Sequence, residues 1–280
     1  TFYSFPFDEI HLENSALSGN AGLNFNPSQN VQLSSSVSTG FRTPNVDDVG
    51  KVFDSEPGLV VVPNPDLKPE YAYNVDLGCR VSAQQRFRFE ANAYYTLLRN
   101  AMIRGPFDFD ASDSIIYEGE SSRVEALVNE AYADIYGVNS MVEASLSRSV
   151  AVRANYTVIR GEDSNGNALR HVNPDFGTFH VIYKKGKFNT DVFVKYSDDI
   201  LYENMAPSER NKPHLYATDD NGNPFSPSWY TFNVVADLAL NNHIHLQAGI
   251  ENIQDIRYRP YSSGVVSPGR NFMFTFRGNI

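Results

Sequence analysis

Apolar and polar side chains alternate strictly over Tyr71–Ser82, the clearest of many such stretches in the chain. Successive side chains of a β-strand point to opposite faces, so this pattern predicts a strand with one apolar and one polar face. In a soluble protein the apolar face would contact a core. In an outer-membrane barrel it would contact lipid, and the polar face would line a wet lumen. The rest of the chain decides between these interpretations.

The same alternation recurs along the chain and predicts eleven strands, whose connections alternate between short turns and long loops. A meander with all tight turns at one end and all long loops at the other is typical of bacterial outer-membrane barrels. Soluble sandwiches mix hairpins with longer crossings. We therefore predict an all-β fold, an antiparallel up-and-down transmembrane β-barrel of about eleven strands. The predicted long loops cover residues 42–69, 104–126, 161–175, 201–228 and 253–269.

An odd number of strands needs an explanation, because single-chain bacterial barrels usually have an even number and an open edge in lipid leaves backbone groups unpaired. Either a strand near Thr1–Glu13 escapes detection, or the chain is part of a larger barrel. If the short turns are periplasmic, the first and the last predicted strand both run towards the periplasm, as they would in half of a 22-stranded barrel. A membrane location also requires Thr1 to be a processed or truncated start, since no signal peptide is visible.

The amino-acid composition is compatible with this barrel and excludes several other structures and partners. The longest aliphatic run, Leu59–Val62, is far shorter than the roughly 20 residues of a spanning helix. Phe and Tyr are abundant, at 19 and 16 residues, which suits strands and interfacial girdles. A net charge of −10 argues against nucleic acid as a partner, because phosphate binding needs a basic surface. The single cysteine, Cys79, excludes an intramolecular disulfide and a cysteine-built zinc site.

No arrangement of residues predicts catalysis, a metal site or a cofactor. His243 and His245 lie two apart without a third ligand in view, and the runs 163–167 and 219–223 fit Asn-Gly turns better than calcium loops. The spacing of Ser, His and Asp does not predict a catalytic triad, so we expect no enzyme. Polar side chains of the lumen are expected to bond a plug or one another, namely Arg86, Arg88, Glu90, Asp191 and Lys195.

Three short motifs in register with the strand pattern resemble TonB-dependent outer-membrane receptors, in the C-terminal half of their barrel. One is similar to the family's F-R-x-P strand end, one to its N-P-x-L-x-P-E strand start, and one to the P-G-R-x-F that opens the final strand. Residues 251–258 also resemble the family segment before that strand. The resemblance covers about residues 14–280, and we expect the motifs to be mainly structural. Their residues here are Phe41, Arg42, Pro44, Asn64, Pro65, Leu67, Pro69, Glu70, Pro268, Gly269 and Arg270.

The resemblance implies an active import receptor in the bacterial outer membrane, with residues 1–280 as the C-terminal part of the barrel and the plug domain absent. The family binds scarce ligands such as iron chelates, haem, cobalamin or glycans, and takes energy from the TonB complex through an N-terminal region. The lipid bilayer and a small-molecule or glycan ligand are thus expected partners, and a surface lipoprotein is an open one. Loops carry binding on rigid scaffolds, so the first candidates for ligand contact are aromatic loop residues, namely Phe107, Phe109, Tyr117, Tyr202, Tyr216 and Phe225.

Three alternatives stay open at this point. The first is a complete small barrel, such as an autotransporter translocator, which would need a pore-filling helix that Thr1–Glu13 does not provide. The second is an outer-membrane hydrolase, which would need Ser, His and Asp clustered at the rim. The third is a soluble β-sandwich adhesion module, which would purify without detergent.

Overall fold

The computed structural model describes residues 15–50, 52–56, 58–84, 86–109, 111–129 and 132–278. The strand considered near Thr1–Glu13 lies outside these residues. The described elements comprise strands, two four-residue helices, α1 (Val46–Val49) and α2 (Pro207–Arg210), and 3₁₀ turns at Tyr202–Asn204 and Pro213–Leu215. The strands are β1 (Gly19–Ser28), β2 (Val31–Arg42), β3 (Phe53–Glu56), β4 (Leu59–Val62), β5 (Glu70–Ala83), β6 (Phe87–Arg99), β7 (Met102–Pro106), β8 (Ser114–Tyr117), β9 (Glu120–Asn129), β10 (Tyr132–Ser145), β11 (Val150–Asp163), β12 (Phe176–Lys185), β13 (Phe188–Ser197), β14 (Ala217–Thr218), β15 (Pro224–Phe225), β16 (Trp229–Ala239), β17 (Ile244–Glu251) and β18 (Asn271–Gly278).

Eleven of these strands form one antiparallel meander, which we call the wall. Its order is β1-β2-β5-β6-β10-β11-β12-β13-β16-β17-β18, and each strand pairs only with its neighbours along this path. The eleven predicted strands are therefore confirmed. Within the described residues β1 and β18 do not pair with each other, so the sheet is a partial barrel.

One face of the wall is apolar and exposed, with aromatic rings in two bands. Near the long-loop end Tyr95 pairs with Tyr136, and Tyr196 pairs with Tyr230. Near the short-turn end lies Phe87, eight residues before Tyr95 on the same strand, about 27 Å away at roughly 3.4 Å per residue. An apolar band about 25 Å tall between two aromatic girdles is the lipid-facing surface of an outer-membrane barrel. Among the described residues no helix is long and apolar enough to cross a membrane.

The opposite, lumen-facing side of the wall is polar, and its charged groups bond one another. Glu90 accepts from Arg80 and from Arg88, in both cases at 2.5 Å. Lys195 lies 3.2 Å from Glu251. His180 contacts Asp191 through Nδ1 at 2.9 Å. The Arg80–Glu90 and His180–Asp191 pairs join neighbouring strands, Arg88 and Glu90 lie on one strand, and the Lys195–Glu251 pair reaches across β16.

The predicted long loops 42–69 and 104–126 contain secondary structure of their own. β3 and β4 lie within the first loop, β8 lies within the second, and β7 and β9 overlap its two ends; together they form a second sheet that we call the outer sheet. The aliphatic run of β4 is buried along its whole length and pairs in parallel with β9. A strand that is buried on both faces has no alternation to reveal it. The core of the outer sheet consists of Val60, Val62, Phe109, Val124 and Ala126.

Candidate functional site

Three long connections at the open end of the wall pack together, and we call segments 161–175, 198–228 and 252–270 the cap. Their contacts cross from one segment to another. The backbone N–H of Ala206 donates to the Tyr261 hydroxyl at 2.8 Å, and the backbone N–H of His171 donates to Ser262 Oγ at 3.4 Å. These bonds, between residues far apart in sequence, make the cap one assembled surface.

A compact knot of hydrogen bonds fixes segment 252–270 to the wall. Asn252 is buried and has a left-handed backbone with φ of 50°. Its N–H donates to Asn233 Oδ1 at 2.9 Å, and its side-chain amide both donates to the Ile256 carbonyl and accepts from the Ile256 N–H. Asn tolerates this conformation better than most residues. The knot therefore sets where the rest of the segment begins.

A cleft of about 260 Å³ lies between this segment and the start of β16. Trp229 shares its strand face with Thr231 and Asn233, which are buried on the lumen side, whereas Tyr230 faces the lipid side. The Trp229 ring stacks on Tyr258 with 4.0 Å between ring centroids. Both rings line the cleft and are half-buried. We call this the aromatic cleft; its lining includes Leu215, Tyr216, Ala217, Ser226, Pro227, Ser228, Trp229, Arg257, Tyr258, Arg259 and Val266.

The charge of the aromatic cleft is positive. Arg257 is exposed, and Arg259 is half-buried and donates from Nη1 to the Leu215 carbonyl at 3.0 Å. Within the described residues Nε of Arg259 is buried without a hydrogen-bond partner. None of the described residues that line the cleft carries a carboxylate. Guanidinium groups suit planar anionic groups, because their donors form a fixed fork.

Behind the cleft, the side chain of Glu209 is buried, with 1% of it exposed. Arg170 lies 2.6 Å from Oε1 and Lys212 lies 3.1 Å from it, and the Tyr216 hydroxyl donates to Oε2 at 2.5 Å. Burial opposes ionisation of Glu209, but the bonds from Tyr216 and Lys212 and the nearby positive charges outweigh it and lower the pKa of this carboxyl. Burial and the neighbouring carboxylate raise the pKa of Tyr216. Tyr216 is thus a neutral phenol.

The structure brings only one of the six predicted contact residues, Tyr216, to the aromatic cleft. Phe109 is 3% exposed in the core of the outer sheet, and Phe107 and Tyr117 pack against that core. The Arg210 guanidinium lies over the Tyr202 ring, 5.0 Å from the ring centroid. Phe225 belongs to the two-stranded ribbon β14–β15 and is half-buried. Ligand contact by these residues stays a prediction, and the geometry favours Tyr216 among them.

The first two motif segments lie where the wall meets α1 and the outer sheet. Arg42 binds both carboxylate oxygens of Asp48 at 2.7 Å. Asn64 donates to the Leu127 carbonyl at 2.8 Å, and Glu70 accepts from the Met102 N–H at 2.9 Å. The remaining motif residues surround these bonds. Phe41 pairs with Tyr71 of β5, and the Pro69 carbonyl accepts from the Asn100 side chain. Pro44 and Leu67 are buried, and Pro65 is half-buried.

The third motif segment closes the cap near the Asn252 knot. The Arg270 N–H donates to Asp255 Oδ1 at 2.7 Å, and Arg270 Nε donates to the Ile253 carbonyl at 3.0 Å. A Cβ on Gly269 would lie 2.5 Å from Asp255 Oδ1, so a side chain here would displace the carboxylate that accepts from Arg270. The Pro268 carbonyl accepts from Asn252 at 3.5 Å. These contacts join the end of segment 252–270 to its beginning.

The two Asp-Asn runs are turns held by their first aspartate. Asp163 accepts from the N–H groups of Asn165 and Asn167, and Asp219 accepts from those of Asn221 and Asn223. Each carboxylate is therefore used by its own loop. Over the described ranges no group of three His, Cys, Asp or Glu side chains could hold a metal ion.

The comparisons with known proteins decide the family. Residues 2–253 match the model of the family "TonB dependent receptor-like, beta-barrel". The chain belongs to the TonB-dependent receptors. Its place is the bacterial outer membrane, and the family consists of receptors that transport rather than of enzymes. The match therefore favours this receptor over the small autotransporter barrel, the hydrolase and the soluble sandwich.

Individual receptors resemble the chain over nearly all of its length. The iron-regulated outer membrane virulence protein of Vibrio cholerae serotype O1 is 24% identical over 254 residues, which are 84% of this chain and 35% of that protein. The copper transporter OprC shares the fold with a TM-score of 0.70 at 16% identity, covering 93% of this chain and 39% of that one. The ferric enterobactin receptor PfeA has a TM-score of 0.71 at 14% identity, covering 93% and 40%. The chain thus spans about a third to two fifths of these receptors.

The sequence-based candidates did not name Tyr258, although it lies in the predicted loop 253–269, and they left out Trp229, Arg257 and Arg259 because only Tyr and Phe residues of loops were considered. A usable signal was present in the strand pattern. Trp229 is the single tryptophan and occupies a lumen-facing position, opposite Tyr230 and Phe232, where the pattern otherwise places polar residues. A large ring on the polar face at the mouth of a barrel deserves consideration as a ligand contact.

Proposed function

We propose that this chain forms part of the barrel of an active importer that binds an anionic, aromatic iron chelate in the aromatic cleft. The carrying observation is the Trp229–Tyr258 stack beside two arginines, at the lumen-facing mouth of the wall. Flat aromatic arms stack on such rings, and anionic oxygens bind guanidinium groups. PfeA, which shares this fold, is named as a receptor for ferric enterobactin.

The complete importer requires more than the described wall. A sheet whose edges β1 and β18 are unpaired with each other would expose backbone groups to lipid. We propose that sequence outside this chain supplies the remaining strands and the plug, and that the TonB complex contacts that sequence. The receptor would import its ligand and not act as an enzyme. A surface lipoprotein partner stays a prediction.

Binding of two ferric chelates by the complete receptor tests the ligand class. Ferric enterobactin serves as the anionic aromatic probe and a neutral ferric trihydroxamate as the comparison. We expect detergent-solubilised receptor to prefer the aromatic chelate, and Arg257→Gln to weaken this binding about tenfold, which corresponds to about 1.4 kcal/mol.

The matched control is Arg148→Gln, which removes one positive charge from an exposed turn at the opposite end of the wall. It should leave both affinities unchanged. Equal affinity for the two chelates, or an equal effect of the two substitutions, would show that the aromatic cleft does not select an anionic aromatic ligand.

A further inference from the structure

The Glu209 carboxylate is the point at which the cap converges. Its partners come from two cap segments: Arg170 from 161–175, and Lys212 and Tyr216 from 198–228. The third segment joins through Tyr261, which accepts from Ala206 one turn before Glu209, and through Arg259, which donates to Leu215 one residue before Tyr216. Both of these links lie within a few residues of Glu209 or Tyr216, and the bond from the His171 N–H to Ser262 Oγ lies one residue from Arg170.

The chemistry of this point differs from an ordinary surface ion pair. The carboxylate is buried, and it faces two cations and one phenol, while Arg210 on the same short helix donates to backbone carbonyls and lies over the Tyr202 ring. Removing one member of a buried charged group leaves its partners uncompensated, which is far more disruptive than breaking an exposed pair. The two oxygens also have separate tasks, because Oε1 takes both cations and Oε2 takes the Tyr216 hydroxyl.

We propose that Glu209 is a positioning residue that holds the three cap segments as one body and fixes Tyr216 in the wall of the aromatic cleft before ligand arrives. The ligand part of this inference rests on the proposed function. A preassembled surface binds without the entropy cost of ordering loops in the complex. The cap is therefore a preformed recognition surface, and its order depends on one buried negative charge.

Hydrogen–deuterium exchange of the complete receptor in outer-membrane vesicles tests the inference without any ligand. Glu209→Gln keeps the side-chain shape and one acceptor oxygen but removes the charge that balances Arg170 and Lys212. We expect amides of segments 198–228 and 252–270 to exchange roughly tenfold faster, because local opening becomes easier. Glu203→Gln is the matched control: it removes a carboxylate six residues away whose side chain is exposed, and exchange should not change.

Arg170→Gln provides a second variant, which weakens the network from segment 161–175 and should accelerate exchange in segment 198–228 in the same way. Equal exchange in wild type, Glu209→Gln and Arg170→Gln would overturn the inference. Faster exchange in Glu203→Gln to the same degree would overturn it as well, because any charge loss would then suffice.

Binding of ferric enterobactin separates positioning from mere loop stability. If Glu209 acts through Tyr216, the losses of affinity in Glu209→Gln and Tyr216→Phe should overlap, so that the double variant is no weaker than Glu209→Gln alone. Fully additive losses would contradict the positioning role. Changed exchange without any binding of this probe by wild type would refute the ligand class and leave the exchange result standing. Binding with unchanged exchange would refute only the role of Glu209.

Discussion

The outer sheet and the cap are built from long connections at the same end of the wall, but different forces hold them together. The outer sheet buries Val60, Val62 and Val124 in an apolar core of its own. The cap buries a carboxylate, and its segments meet through hydrogen bonds and ion pairs. The first resembles a small domain, whereas the second is a polar assembly beside a cleft. Polar cohesion leaves charged and aromatic groups available for a ligand, which an apolar core does not.

The largest effect is expected from a charge in the apolar core of the outer sheet. Val60→Asp would bury an unpaired carboxylate at a position with no exposed surface, and we expect it to destabilise the outer sheet by about 3–5 kcal/mol. Proteolysis of residues 43–69 and 100–129 in intact membranes measures the loss. Val46→Asp, at a side chain that is 81% exposed, is the control and should change little. Cap exchange that rises together with outer-sheet proteolysis would show that the two regions are one unit.

A smaller effect is expected from the knot at the base of the cap. Asn252→Ala removes the side-chain bonds to Ile256 and places alanine at a φ of 50°, so we expect a local loss of about 2–3 kcal/mol. Amide exchange in segment 252–270 should rise while the outer sheet stays protected. Asn242→Ala, in an exposed turn at the other end of β17, is the control. Unchanged exchange in segment 252–270 would mean that the wall alone positions it.

Acid should loosen the cap and spare the outer sheet. Because the pKa of Glu209 is lowered in the folded state, its stabilisation is present above the unfolded pKa and is lost as pH falls below about 4. Tyr216 faces this carboxyl as a neutral phenol because its pKa is raised, and His171, whose pKa burial lowers, gains protons as pH falls and adds repulsion to the nearby Arg170 and Lys212. We expect cap exchange, corrected for intrinsic rates, to rise about tenfold from pH 6 to pH 3. In Glu209→Gln this rise should be largely absent; an undiminished rise would place the acid response elsewhere.

The smallest effect is expected on the wall. Lys195 and Glu251 form a pair whose side chains are 40% and 33% exposed. Lys195→Met should therefore change stability by only about 0–1 kcal/mol. The thermal transition of the purified receptor measures this, with Lys184→Met on the short-turn end of β12 as the control. A loss as large as that of Val60→Asp would mean that lumen charges, rather than strand pairing, hold the wall.

The wall could be predicted from the sequence because a half-lipid, half-lumen strand has a period of two that every strand repeats. Tyr71–Ser82 shows it, and the registers of β5 with its neighbours follow it residue by residue. The outer sheet could not be predicted in this way. Leu59–Val62 is apolar at every position, and the pairing of β4 with β9 joins residues more than sixty apart in the chain.

The candidate site was only partly predictable, for a similar reason. Aromatic loop residues were a sound expectation, and Tyr216 lies in the aromatic cleft. Phe107, Phe109 and Tyr117 are also aromatic residues of a predicted loop, but Phe109 lies in the core of the outer sheet and the other two pack against it. The partners Trp229 and Tyr258 come from different segments, so only the fold brings their rings to 4.0 Å. Likewise, no local pattern indicates that Glu209 meets Arg170, 39 residues earlier in the chain.

Electron cryomicroscopy of the complete receptor with ferric enterobactin bound would show whether the ligand lies in the aromatic cleft. We expect chelate density between the aromatic cleft and the lumen, with an aromatic arm within about 4–5 Å of the Tyr258 ring and anionic oxygens near Arg257. The cap should keep its arrangement around Glu209 in the bound receptor. Density against the outer sheet, with the aromatic cleft unchanged and empty, would contradict ligand binding in the aromatic cleft.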